Sequence, residues 1–286
     1  MGQLSRGRLR LGKIGFLNVM PIYHPLESGI IDHPFSIVSG TPAYLNGLMA
    51  EDRLDLSVVS SIEYARHPER YFILPDLSIS CHGPVKSVLL LSRLPVDRLK
   101  GHKILVSSQS HTSIGLLKIL FTKRFGLDPD FETGRCSESL TKDELPPAML
   151  VIGDEALRLR HHPSYPHRLD LGEAWHSWTR LPFVFALWVI QRRAVNGRSG
   201  LFEAAMAALA ASKRWGRENI GTICELAAAK GIMNSRELLD YYDCLGFDLG
   251  RSEREGLDLF FRNLFEIGEL TEVPRLEWIS PLASVA

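Results

Sequence analysis

Apolar residues in the first two thirds of the chain form short runs separated by amphipathic segments, a pattern typical of an α/β protein. Between the runs, apolar residues recur at helical spacing, as they do at Ile114, Leu117 and Phe121. Because predicted strands alternate with predicted helices, we expect parallel sheets that are covered by helices. The predicted strands are 9–17, 35–39, 54–59, 88–91, 103–106, 149–152 and 183–190.

The last third of the chain has a different pattern, which predicts helices only. Apolar positions recur at helical spacing in 201–213, 220–230 and 257–267. Asn234 and Glu237 have the spacing of a capping box, in which two side chains satisfy free N–H groups at the start of a helix. We therefore expect a helical carboxyl-terminal region.

Two strongly apolar runs, 88–91 and 183–188, bracket the middle of the chain. A chain that leaves one lobe, builds a second and then returns produces this arrangement. The predicted first lobe contains residues 1–92 and 189–286, and the predicted second lobe contains residues 93–188. We expect a ligand site in the cleft between the lobes, where helix amino termini can converge.

Charge and composition restrict the classes of function. Lys plus Arg and Asp plus Glu both total 33, so the chain lacks the cationic excess that nucleic acid or an anionic membrane requires. No apolar run reaches the roughly 18 residues of a membrane helix, and the basic segment 1–10 leads into no secretory signal. The four cysteines form no Cys-x-x-Cys pair, which favours reduced thiols. These features predict a cytoplasmic protein that binds neither nucleic acid nor a membrane.

Hydroxyl side chains accumulate at three junctions between a predicted strand and the next helix, at 39–41, 59–61 and 107–113. Each junction places hydroxyl groups beside the free N–H groups of a helix start, which together favour an anion. Ordinary capping is sufficient to explain the first junction. The third has five hydroxyls in seven residues, more than a cap requires. The hydroxyl residues expected to contact a ligand are Thr41, Ser60, Ser61, Ser110, Thr112 and Ser113.

Further candidates lie at strand ends, where a parallel sheet places its ligands. Asn18 follows the first strand and Ser87 precedes the run 88–91; a role in a turn is the alternative for both. Gly153 and Asp154 follow the strand 149–152, and the alternative role of Asp154 is to cap the next helix. We expect these four residues to face the cleft.

Several familiar catalytic patterns are missing from the sequence. It has no P-loop, no Gly-x-Gly-x-x-Gly and no Ser-His-Asp order. His161, His162 and His167 lie beside prolines without the spacing of a zinc site, which favours exposed loop histidines. We therefore predict no metal and no cofactor.

A series of motifs occurs between the first predicted strand and Trp188. They are Gly15-Phe16-Leu17-Asn18 with Pro21, Ser60–Tyr64, Gly83–Val88, Ser110–Ser113, Ile152–Ala156, Asp170–Glu173 and Leu181–Trp188. Taken together and in this order, these motifs resemble the MqnA family, the chorismate dehydratases of the futalosine route to menaquinone.

The resemblance implies a two-lobed, type II periplasmic-binding-protein-like fold that is used as an enzyme. It also implies a carbon–oxygen lyase that converts chorismate to 3-[(1-carboxyvinyl)oxy]benzoate with loss of water. The related MqnD family, the 1,4-dihydroxy-6-naphthoate synthases, shares the fold but typically begins with a Ser-Pro-Cys-Pro-Asn-Asp-like stretch. This chain has Phe16-Leu17-Asn18 in that region, which favours the dehydratase.

For this reaction we expect Asn18 and Ser87 to lie nearest the reacting carbons of chorismate. The turn 110–113, with its helix N–H groups, is expected to hold one substrate carboxylate. The junction 60–61 is expected to add polar contacts. Two proton acceptors remain open, His111 and the enolpyruvyl carboxylate of the substrate itself.

Two alternatives come from other classes of protein. One is a non-catalytic protein that binds small carboxylates, and the other is the ligand-sensing half of a transcription regulator. The segment 1–10 is too short for a helix-turn-helix module, which disfavours the regulator. The sequence leaves open whether the protein is a monomer or a homodimer, and whether Trp175 and Trp178 line the cleft or pack in the core.

Overall fold

The computed structural model describes residues 7–107, 111–128, 130–140, 145–195 and 199–279. The predicted α/β architecture is present, and the strands in these residues divide between two sheets. They are β1 (Leu9–Ile14), β2 (Phe35–Gly40), β3 (Leu56–Ser60), β4 (Tyr71–Cys81), β5 (Val88–Ser92), β6 (Lys103–Val106), β7 (Asp130–Thr133), β8 (Ala148–Ile152), β9 (His167–Asp170) and β10 (Phe183–Gln191).

Both sheets are mixed, with the strand orders β2-β1-β3-β10-β4 and β7-β6-β8-β5-β9. In the first, β1 is parallel to β2 and β3, whereas β10 is antiparallel to β3 and β4. In the second, β5 is antiparallel to β8 and β9. The expectation of parallel sheets is therefore wrong for β5 and β10. Each of these strands enters its sheet from the other sheet, not through the crossover helix that makes neighbouring strands parallel.

The chain crosses between the sheets at 82–87 and returns at 180–182. Strand β5 belongs to the second sheet and β10 to the first. The expected lobe boundaries at residues 92 and 188 each lie one strand too late, because an apolar run shows that a strand is buried but not which sheet it joins. By sheet membership, lobe I contains β1–β4 and β10, and lobe II contains β5–β9.

The carboxyl-terminal region is helical, as predicted, and packs against both lobes. Asn234 and Glu237 form the expected capping box. None of the helices in the described part of the chain is long and apolar enough to cross a membrane. The helices are α1 (Met20–Glu27), α2 (Pro42–Ala50), α3 (Ser61–Arg66), α4 (His111–Ile119), α5 (Cys136–Ser139), α6 (Gly153–Leu159), α7 (Leu171–Thr179), α8 (Ser199–Glu218), α9 (Ile220–Ala228), α10 (Ser235–Tyr242) and α11 (Arg251–Glu266).

One large apolar core extends through both lobes. Helix α8 packs against α1, and α11 packs against β10, which carries buried aromatic residues. Trp175 is fully buried and its Nε1 donates to Pro182 O at 3.2 Å. Trp175 is therefore a core residue, and its packing joins α7 to the returning segment 180–182.

Candidate active site

A cleft lies between the two sheets and is lined by residues of both lobes. Its volume is about 750 Å³ with its open mouth included, which is in the range of sites for small organic ligands. The apolar lining includes Phe16, Val59, Val85, Phe185 and Leu245. The polar lining side chains are Asn18, Asn46, Ser60, Ser87, His111, Thr112 and Ser113.

The amino-terminal ends of α2, α3, α4 and α6 meet at this cleft. Pro42 begins α2, Ser60 directly precedes α3, His111 begins α4 and Gly153 begins α6, and all of these residues line the cleft. The first N–H groups of a helix have no partner within the helix and carry partial positive charge. Both lobes therefore present backbone donors to the same space.

The side chains around the cleft are mostly neutral. In the part of the chain that the structure describes, no Lys, Arg, Asp or Glu lines it. Within the same residues, no group of three or more His, Cys, Asp or Glu could hold a metal ion. An anion in this cleft would be held by neutral hydrogen-bond donors between apolar walls, where such bonds are stronger than in water.

Asn18 lies in a 3-10 turn, Leu17–Val19, shortly after β1. Its side chain lines the cleft. Its Oδ1 atom is buried and has no hydrogen-bond partner among the described residues. A buried polar atom without a partner is unfavourable, so a ligand that donates a hydrogen bond here would satisfy it. Asn18 thus supplies an open acceptor in a cleft rich in donors.

Two hydrogen bonds hold the backbone of Leu17, the first residue of the Asn18 turn. The N–H of Leu17 donates to Asp154 Oδ1 of lobe II at 2.9 Å. The Tyr242 hydroxyl on α10 donates to Leu17 O at 3.0 Å. Burial raises the pKa of Asp154, and the hydrogen bond from Leu17 opposes that rise. Asp154 is not among the residues that line the cleft, so its carboxylate connects the lobes there.

Ser87 also lines the cleft, at the point where the chain enters lobe II. The Tyr241 hydroxyl donates to Ser87 Oγ at 3.1 Å. Gly153 N donates to Ser87 O at 2.7 Å, which aligns the beginning of α6 with this serine. Gly153 has φ +56°, and a Cβ built on it would approach Phe16 Cδ1 to 3.0 Å. Glycine is therefore favoured where α6 meets the cleft wall.

The structure separates the remaining predicted residues into two groups. Ser60, Thr112 and Ser113 line the cleft. Thr41 and Ser61 are not among its lining residues: Thr41 Oγ1 caps α2 by accepting from Tyr44 N, and the Ser61 hydroxyl donates to Val184 O at 2.6 Å. Both hydroxyls have structural partners because each lies at a helix start that also packs against its own lobe. Ser110 lies outside the described residues.

Asn46 is a lining residue that was not predicted from the sequence. It lies on α2, one turn after Pro42, and its Nδ2 donates to Glu63 Oε2 at 3.3 Å. The spacing of four residues from the helix start could have indicated it, because positions four apart share one face of a helix. His111, which the sequence left open as a proton acceptor, also lines the cleft.

Comparison with known proteins identifies the relatives of this chain. A family model described as menaquinone biosynthesis matches residues 9–266. A chorismate dehydratase from Thermus thermophilus is 30% identical over 265 residues, which cover 87% of this chain and 93% of that protein. A chorismate dehydratase from Campylobacter jejuni is 28% identical over 190 residues, which cover 64% of this chain and 69% of that protein.

A solved structure supports the fold independently of close sequence similarity. A Candida albicans protein, described as having the generic periplasmic binding protein fold, matches with a TM-score of 0.67. The identity is 11%, and the match covers 93% of this chain and 91% of that protein. The predicted two-lobed periplasmic-binding-protein-like fold is thereby confirmed.

Proposed function

This chain belongs to the menaquinone biosynthesis family, and we propose that it is a chorismate dehydratase that forms 3-[(1-carboxyvinyl)oxy]benzoate and water. Two of its relatives are chorismate dehydratases, which supports this proposal. The observation that carries it is the cleft itself, in which neutral donors from both lobes surround an open acceptor on Asn18. Chorismate is a small acid with two carboxylates and one hydroxyl group. Its carboxylates can accept hydrogen bonds from the donors of the cleft, and its hydroxyl can donate to Asn18 Oδ1.

The reaction requires loss of a proton from C3 and of hydroxide from C4 of chorismate. The C3 hydrogen is vinylogous to the ring carboxylate, so its removal gives a delocalised dienolate. Departure of the C4 hydroxide with the bonding electron pair then makes the ring aromatic. The protein has to hold two carboxylates, stabilise the developing charge on the ring carboxylate and help the hydroxide leave. Preorganised neutral donors can stabilise that charge.

The hydroxyl of Thr112 has a geometry that suits a carboxylate. Thr112 Oγ1 accepts a hydrogen bond from Ile62 N at 3.0 Å. A hydroxyl group has one proton and two lone pairs, so this bond leaves the Thr112 proton for a ligand. Together with Ser113 and the first N–H groups of α4, Thr112 would bind one carboxylate of chorismate. Ser60 and the start of α3 would contribute donors from lobe I.

The proton acceptor is the enolpyruvyl carboxylate of chorismate in our proposal. No Asp or Glu among the described residues lines the cleft, and this carboxylate is attached through oxygen to C3 itself. It would take the C3 proton and pass it to the departing hydroxide, which leaves as water. Asn18 and Ser87 would position the reacting groups, so that orientation supplies much of the acceleration. Asn18 Oδ1 would accept the hydrogen bond of an O–H group on the substrate.

The decisive experiment combines purified protein and chorismate without added metal or cofactor. We expect chorismate to disappear while an aromatic product with the mass of 3-[(1-carboxyvinyl)oxy]benzoate accumulates, followed by absorbance and mass spectrometry. Binding without conversion would instead favour a small-carboxylate binding protein. If the protein neither binds nor converts chorismate, the proposal is contradicted. Substrates of the naphthoate synthase type should then be tested. A cytoplasmic location and the oligomeric state remain predictions.

A further inference from the structure

Helix α10 places two consecutive tyrosines against the candidate active site. Tyr241 and Tyr242 are both buried. They belong to a compact apolar cluster that also contains Leu17 of lobe I and Leu157 of lobe II. The helix is therefore packed against both sides of the cleft, although it lies far along the sequence from the strand ends that line it.

Each tyrosine hydroxyl reaches a different part of the site. Tyr242 donates to Leu17 O at 3.0 Å, which fixes the backbone of the turn that carries Asn18. Tyr241 donates at 3.1 Å to a side chain, Ser87 Oγ. Of the two contacts, only the second can change the direction of a side-chain proton in the cleft.

The hydrogen-bonding capacity of Ser87 explains why this contact matters. The serine hydroxyl has one proton and two lone pairs, and Tyr241 occupies a lone pair. The other contact of Ser87 Oγ is with Val85 O at 3.4 Å, which is longer than an ordinary O–H···O hydrogen bond. The serine proton is thus held weakly within the protein and is available to an oxygen atom in the cleft.

In the structure the Tyr241 hydroxyl donates to Ser87 Oγ, and it makes no other hydrogen bond among the described residues. Burial raises the pKa of the phenol above its usual value, so the hydroxyl keeps its proton at ordinary pH and can make this donation. With Tyr241 as the donor, Ser87 Oγ is the acceptor and keeps its own proton free for another partner.

We propose that Tyr241 is a positioning residue that orients the Ser87 hydroxyl so that its proton points to a substrate oxygen in the cleft. This inference rests on the proposed function, because Ser87 must act in turnover for its orientation to matter. The substrate oxygen that would accept a hydrogen bond from Ser87 in the transition state is the departing C4 hydroxide or the ring carboxylate, and Ser87 keeps its proton throughout. Tyr241 would then affect the rate of the chemical step more than the binding of chorismate.

The test is a double-mutant cycle of Tyr241→Phe and Ser87→Ala. Tyr241→Phe removes one oxygen atom and keeps the buried ring. We expect kcat to fall about tenfold, the effect of one lost hydrogen bond, with KM nearly unchanged. In the Ser87→Ala background, the same substitution should cause no further loss, because its effect passes through Ser87. If Tyr241 has a purely structural role, Tyr241→Phe should lower kcat by the same factor in the wild-type and Ser87→Ala backgrounds.

Tyr165→Phe is the matched control. Tyr165 is fully buried in lobe II and its hydroxyl donates to Pro146 O at 3.2 Å, away from the cleft lining. The Tyr165→Phe variant should have the kcat of the wild type, and any effect of the substitution should be on thermal stability alone. Failure of both the wild type and this control to convert chorismate would contradict the proposed function itself, and the inference with it.

Two results would overturn the inference while leaving the proposed function in place. One is a kcat of Tyr241→Phe equal to that of the wild type. The other is an equal fold-loss in kcat when Tyr241→Phe is added to the wild type and to Ser87→Ala. If Ser87→Ala is too slow for a cycle, a crystal structure of Tyr241→Phe decides the matter. A Ser87 Oγ turned away from the cleft supports the inference, whereas an unchanged Ser87 rotamer contradicts it.

Discussion

The backbone N–H of Leu17 donates to the carboxylate of Asp154 at 2.9 Å, joining residues 137 positions apart and on opposite lobes. Leu17 directly precedes Asn18, and Asp154 is the second residue of α6. A second bond, from Ile62 N to Thr112 Oγ1 at 3.0 Å, also crosses from lobe I to lobe II. The Leu17–Asp154 bond thus links the position of the candidate catalytic turn to the contact between the lobes.

Removal of the Asp154 carboxylate should therefore weaken turnover without removing a group from the cleft. We expect Asp154→Ala to lower kcat/KM about tenfold, the effect of leaving one N–H without its acceptor. Asp154→Asn keeps an acceptor oxygen and should stay within about threefold of the wild type. Steady-state kinetics with chorismate measures both. Wild-type activity in Asp154→Ala would show that this bond does not hold the Asn18 turn in place.

His111 provides a test of the proton acceptor. It lines the cleft at the start of α4, and in the proposed mechanism the substrate carboxylate takes the proton instead. We expect His111→Ala to lose less than about threefold in kcat, whereas loss of a general base typically lowers the rate about 100-fold or more. A loss of that larger size, with chorismate binding retained, would assign the proton transfer to His111.

Much of the candidate site could be predicted because its residues lie at junctions between strands and helices. Asn18, Ser60, Ser87 and Gly153 all occur where a short apolar run ends or begins, and such positions meet at one edge of a sheet. Tyr241 gave no such signal. Its contact with Ser87 depends on how α10 packs against both lobes, and a separation of 154 residues leaves no pattern in the sequence.

Strands that are uninterrupted apolar runs were predicted, whereas β7 and β9 were not, because each has a single apolar residue. Strand β4 was not predicted, because Pro75 and Asp76 divide its apolar residues and proline is unusual inside a sheet. The structure places them at an irregularity, where the pairing of β4 with β10 shifts and Asp76 has φ +53°. The strand continues through this irregularity because the residues on both sides of it pair with β10.

Gly153 should be intolerant of a side chain. Its φ of +56° and the proximity of Phe16 both oppose a Cβ. We expect Gly153→Ala to lose about 1–2 kcal/mol of unfolding free energy and, because Phe16 must move, to lower kcat/KM. A Cβ added to Gly221, on α9, would meet nothing within 4 Å. Gly221→Ala should gain up to about 1 kcal/mol. Chemical denaturation measures the unfolding free energy of both variants. Equal changes in that free energy would refute the proposed strain at Gly153.

Asn46 allows the neutrality of the cleft to be tested. Asn46→Asp would place a carboxylate beside Glu63 and opposite a substrate with two negative charges. We expect KM for chorismate to rise about tenfold or more from charge repulsion, and added salt to reduce the difference. Asn46→Ser removes the amide without adding charge and should raise KM less. Equal KM values for the two variants would show that charge at this position has no influence on binding.

In the proposed complex, both lobes hold chorismate in a cleft of neutral donors beside Asn18 and Ser87. Because Asn18→Ala should lose turnover more than binding, its crystals with chorismate offer the most direct measurement. We predict chorismate between the lobes, one carboxylate about 3 Å from donors at the start of α4, and C3 and C4 of the ring facing Ser87. Chorismate bound elsewhere, or converted by Asn18→Ala at the wild-type rate, would contradict the account.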